Sequence, residues 1–183
     1  MVGGSSSNRK DFDFYPTPEW ATEALLWRIR DQLNGTVWEP ACGNGAISKV
    51  VHSFIEDGHC KASKVVSSDL NSFGYGISGQ DFLKARRTVD CIVTNPPYSL
   101  ATEFIVHARK LAGLVAMLLP LRYLEGVDRF ERIYSNRDLE KMFVLSRKPN
   151  FRNDVAGSTG LLSMAWFVWR RGYCGDFQGQ VVI

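Results

Sequence analysis

Two rhythms of apolar positions alternate along the chain. Ala21, Leu25, Ile29 and Leu33 recur on one helical face. Thr17 is placed to cap that helix, Pro18 suits its first position, and Gly35 follows its end. Thr36 to Glu39 reads as a strand and Gly43-Asn44-Gly45 as a turn. Ile47, Val50, Val51, Phe54 and Ile55 then form the stripe of a second helix, closed near Gly58. Lys64 to Asp69 and Val89 to Thr94 read as further strands. Leu100 to Ala112 is a helix with Phe104, Ile105, Ala108 and Leu111 inward. Leu114 to Leu119 is a continuous apolar strand stopped by Pro120, and Leu124 to Tyr134 is expected to be helical. Leu139 to Leu145 and Leu161 to Trp169 close the chain as an expected antiparallel pair of strands.

Strands alternating with helices predict an α/β fold: a mostly parallel sheet with an antiparallel C-terminal strand and helices on both faces. Ligands of such sheets sit beyond the carboxyl ends of the strands, near the topological switch point. Three polar segments fall at such ends: Glu39 to Gly45, Ser68-Asp69-Leu70, and Asn95-Pro96-Pro97-Tyr98.

The last of these has the sharpest chemistry. An Asn oxygen and a Pro96 carbonyl held in a fixed direction can both accept from one planar NH2 group. The Tyr98 ring offers a flat stacking face. Two acceptors on one amine favour its sp3 character and leave the lone pair available for attack. The segment therefore suits methylation of a weakly nucleophilic amine.

Glu39-Pro40-Ala41-Cys42-Gly43-Asn44-Gly45 lets backbone approach a ligand closely. It lacks the third glycine of a pyrophosphate loop, and Glu39 suits a cationic amino-acid moiety rather than a phosphate. Asp69 ends the next strand at a distance where an acid takes ribose hydroxyls. Asp81 can accept from an adenine amine while Phe82 covers the ring. Together these residues fit S-adenosylmethionine better than a nicotinamide, although Asp69 read alone could cap a helix and Phe82 could be core.

Composition narrows the remaining classes. A chain of 183 residues, 45% hydrophobic, can bury one proper core. No apolar run approaches a membrane span. Met1 to Asn8 is Gly/Ser-rich rather than a signal sequence, and a flexible segment over 1–13 is expected before a single domain over 14–183. Cys42, Cys60, Cys91 and Cys174 are scattered, and His52, His59 and His107 lack a motif. Reduced thiols, no metal site and a cytoplasmic location are expected. The net charge of +3 permits nucleic-acid binding. Arg147, Lys148 and Arg152 cluster around Pro149-Asn150-Phe151, whereas Lys84, Arg86 and Arg87 read as a solvated loop.

Asn95 to Tyr98 resembles the amine-binding motif of S-adenosylmethionine-dependent amino-methyltransferases, and Glu39 to Gly45 resembles their cofactor loop. Phe14-Tyr15-Pro16-Thr17-Pro18 with Trp20 to Leu25 is similar to the opening of small phage and prophage DNA adenine-N6 methyltransferases. So are Gly157-Ser158-Thr159 and Ala165 to Trp169. The resemblance covers most of Phe14 to Arg170 and implies a Rossmann-like methyltransferase fold. It implies cofactor contacts at Tyr15, Pro16, Thr17, Glu39, Ala41, Cys42, Gly43, Gly45, Asp69, Leu70, Asp81, Phe82 and Asn95. It places Asn95, Pro96, Pro97 and Tyr98 at the amine, Phe151 as a second aromatic, and Arg147, Lys148 and Arg152 on phosphates.

The space for a recognition region, 146–160, is only a loop, so specificity is loose, resides there, or comes from another protein. DNA is the expected partner. RNA, a protein glutamine, cytosine N4 or an idle binding module are the alternatives. The oligomeric state stays open between a monomer and a weak dimer.

Overall fold

A computed structural model describes residues 16–149 and 162–183. Its strands are β1 (Asn34–Glu39), β2 (Lys61–Ser67), β3 (Val89–Thr94), β4 (Ala112–Pro120), β5 (Leu139–Leu145), β6 (Met164–Arg170) and β7 (Gln178–Val182). They form one seven-stranded sheet in the order β2-β1-β3-β4-β6-β5-β7. Only β6 runs against the rest; it pairs antiparallel with both β4 and β5.

The continuous apolar run of β4 is explained by burial on both faces. Leu114, Ala116 and Leu118 enter a core with Leu25, Ile47, Val51 and Phe54 of helices α1 (Glu19–Ile29) and α2 (Ala46–Glu56). Val115, Met117 and Leu119 enter a second core with Phe104, Ile105 and Ala108 of α3 (Ala101–Leu111). The period of two along a strand divides its residues between the layers. Trp166 and Trp169 of β6 are core residues, one on each side. Trp166 Nε1 donates to Ala21 O at 2.7 Å and fastens α1 to the sheet.

Four local expectations are corrected. Thr17 does not cap α1: Pro18 holds that position without a side-chain cap, and Thr17 Oγ1 has another partner. Gly35 lies within β1, not at a helix end. Its φ of +55° and missing side chain admit Asp90, whose carboxylate accepts from Thr36 N at 2.7 Å. The antiparallel strand is not the last: β7 adds to β5 in parallel at the sheet edge. The expected helix over Leu124 to Tyr134 is a 3-10 turn (Leu121–Leu124), a short α turn (Val127–Arg129) and a π turn (Phe130–Tyr134).

Candidate active site

The carboxyl ends of β1, β2 and β3 open into a cleft of about 290 Å³. Its lower wall is the β1–α2 connection. Cys42 N donates to Ser68 O at 3.0 Å, and Gly45 N to Cys42 O at 2.7 Å. Gly43 N donates to Asp69 Oδ2 at 2.9 Å, and Asn71 N to Asp69 Oδ1 at 2.8 Å. Asp69 thus holds two loops together. Each carboxylate oxygen can accept twice, so this use leaves acceptor capacity for a ligand.

Glu39 ends β1 and is buried. Its Oε2 accepts from Ser48 N at 2.8 Å and from the Ser48 hydroxyl. Ser48 is in the first turn of α2, so a strand residue satisfies an amide that the helix cannot. A carboxyl already occupies the place where a helix start would take a phosphate. Burial pushes Glu39 up to about 8, with nearby Asp69 adding to the rise against the pull of the Ser48 hydrogen bonds. Burial, with Glu39 and Asp69, likewise pushes the Cys42 thiol up to about 12.

Asn95 follows β3 and donates Nδ2 to Thr17 Oγ1 at 3.2 Å. This bond joins the segment before α1 to the amine-type turn, and directs the amide oxygen away from Thr17. Phe82 is buried edge-on to Trp38 and lines the cleft with Asp81, whose Oδ1 accepts from Leu83 N at 3.1 Å.

The cleft brings together Pro16, Thr17, Glu39, Ala41, Cys42, Gly43, Asp69, Leu70, Asp81, Phe82, Asn95 and Pro97. Gly45 does not line it; at φ +81° it makes room for the Tyr75 ring. Pro96 is buried beside the cleft, and Tyr98 packs against the α1–α2 core. Arg147 and Lys148 are exposed just past β5, on the same sheet edge. Tyr15, Phe151 and Arg152 lie outside the described residues. Asn71, Phe73, Gln80, Leu100 and Phe104 also line the cleft and were missed. The signal for the first three was topological: the loop after β2 must pass the carboxyl end of the sheet.

Among the described residues no group of His, Cys, Asp and Glu could hold a metal ion, and no helix is long and apolar enough to cross a membrane.

No family model matches the sequence, and no curated protein matches it. Solved structures do match in fold. A protein from Listeria monocytogenes assigned to the class I S-adenosylmethionine-dependent methyltransferases superposes with a TM-score of 0.69 at 12% identity, over 94% of this chain and 68% of that one. A protein from Vibrio vulnificus assigned as the modification subunit of a type I restriction enzyme gives 0.68 at 16% identity, over 96% and 48%. One from Pyrococcus horikoshii assigned as an RNA methyltransferase gives 0.61 at 14% identity, over 88% and 90%. The chain spans about half the length of the modification subunit. It has the Rossmann-like methyltransferase fold.

Proposed function

We propose that this chain is an S-adenosylmethionine-dependent methyltransferase that modifies the exocyclic N6 of adenine in DNA. The observation that carries the reading is the position of Asn95. Its amide, oriented by Thr17, stands at the wall of a cleft that also holds Glu39, Asp69 and the Asp81-Phe82 pair. The donor set fits the cofactor: an acid for an ammonium, an acid for ribose hydroxyls, an acid and an aromatic for adenine, and no phosphate cradle. When bound, S-adenosylmethionine supplies an electrophilic methyl group on sulfonium.

The protein's part is positioning. The Asn95 oxygen and the Pro96 carbonyl accept from the amine and aim its lone pair. Tyr98 covers the base. No strong base is required before attack, because the nitrogen proton becomes acidic once the methyl has transferred. In a duplex the base must first leave the stack. Arg147 and Lys148 contact phosphates, so binding weakens steeply with salt.

The test is methyl transfer from labelled S-adenosylmethionine to unmethylated DNA and to total RNA, with nucleosides resolved by mass spectrometry. N6-methyldeoxyadenosine is the expected product. Label in RNA alone would move the substrate, and label in neither would sink the reading. Asn95→Ala is expected to lower turnover by about 100-fold or more while cofactor affinity stays nearly unchanged.

A further inference from the structure

One wall of the cleft is built from a segment with no helix or strand of its own. Between β2 and the Asp81-Phe82 pair the chain makes an excursion over 70–80, of which Leu70, Asn71 and Phe73 line the cleft. Its ends are fixed to the sheet. Ile77 N donates to Ser67 O at 2.9 Å, Asp69 N to Ile77 O at 3.0 Å, and Gln80 N to Asp69 O at 2.9 Å. The tip, 71–76, projects beyond these bonds. A tip outside any ladder opens locally at little cost unless side chains hold it.

Tyr75 supplies that hold, although it does not itself line the cleft. Its ring is seated on Gly45: a Cβ there would meet ring carbons at 2.5 to 2.6 Å. Lys49 Nζ, from the first turn of α2, stands 5.2 Å from the ring centroid, a cation over the π face. Tyr75 O accepts from Cys42 Sγ at 3.6 Å. The next residue, Gly76, runs so close that a Cβ would meet Ser67 O at 2.7 Å and Cys42 Sγ at 2.8 Å. The tip is thus docked on the β1–α2 connection, which is the lower wall of the same cleft. Phe73 and Tyr75, two positions apart, divide the work: one faces the cleft and the other grips its wall.

The course of the chain decides which part of a ligand Phe73 meets. The excursion leaves from Asp69, the acceptor suited to ribose hydroxyls, and returns to Asp81, the acceptor suited to an adenine amine. A loop strung between those two acids borders the adenosine half of the cleft.

We propose that Tyr75 is a positioning residue for the cofactor: seated on Gly45 beneath Lys49, it latches the 70–77 loop so that Phe73 packs on the adenosine portion of S-adenosylmethionine. This rests on the cofactor reading above. A wall ordered in advance need not be organised when the ligand arrives, so the latch adds affinity without touching the ligand. Adenosine is common to S-adenosylmethionine and to S-adenosylhomocysteine, which remains after the methyl has left. The latch therefore serves both alike.

The experiment measures binding of these two ligands by calorimetry. Tyr75→Leu should weaken both by roughly tenfold, and Tyr75→Phe, which keeps the ring, should stay within about twofold of wild type. Lys49→Gln removes the cation and leaves the ring, and should weaken both about two- to fivefold. Because the latch acts through Phe73, the Tyr75→Leu/Phe73→Ala double variant should match Phe73→Ala alone within about twofold. Losses that multiply in the double variant, wild-type binding by Tyr75→Leu, or a loss for one ligand and not the other overturns the latch and leaves the cofactor reading standing. Where Tyr75→Leu does not fold, unchanged binding by Lys49→Gln overturns the latch. Wild-type protein that binds neither ligand overturns both.

Discussion

Glu39 is the residue where structure and ligand chemistry meet. Its carboxyl is buried against the first turn of α2, and burial holds it up to about 8, above the 4.5 of a free carboxyl. The folded chain therefore keeps a proton that the unfolded chain releases. Stability from this group is full below about pH 4.5 and is lost as pH rises toward about 8. A cationic ligand beside the carboxyl favours its ionised form and expels that proton. Calorimetry of S-adenosylmethionine binding at pH 7, in buffers of different ionisation enthalpy, should register net proton release. Glu39→Gln should abolish the release; equal release from that variant would place the proton elsewhere. The sequence made Glu39, Asp69 and Asn95 legible as polar residues ending apolar runs. It did not reveal that Thr17 serves Asn95, because a hydrogen bond across 78 positions leaves no local trace.

At the scale of elements, legibility followed burial. The bounds of β3 were readable to the residue, Val89–Thr94, since a buried strand must be apolar between polar ends. β7 was not readable: Gln178–Val182 has one buried residue, and its existence depends on the exposed flank of β5. The β1–α2 unit was legible as a turn, but the reason for its second glycine was not. A Cβ on Gly45 would meet the Tyr75 ring at 2.5 Å, with the backbone at φ +81°. Gly45→Ala should cost about 1–3 kcal/mol in urea denaturation. It should also loosen the wall that presents Gly43 to the cleft. A loss below a few tenths of a kcal/mol would mean that Tyr75 moves aside freely.

Taken whole, the molecule gathers its chemistry at one end of the sheet. Strand direction explains this: six strands run the same way, so their carboxyl ends share an edge. The same layout dictates an order of assembly. β6 lies between β4 and β5, yet follows both in the chain. Until it arrives, β4 lacks one neighbour and β5 has no ladder to the rest of the sheet. The distant pairing of Ala116 with Val168 is thus a late and entropically demanding event, and it closes both cores together through Trp166 and Trp169. In refolding followed by pulsed hydrogen exchange, amides of β5 and β6 should gain protection in one slow phase, after β1 and β3. Protection of β5 before β6 would contradict this. The strand that unites the sheet is also the gate on how fast it can form, and the chain exposes an apolar β4 edge for as long as that gate stays open.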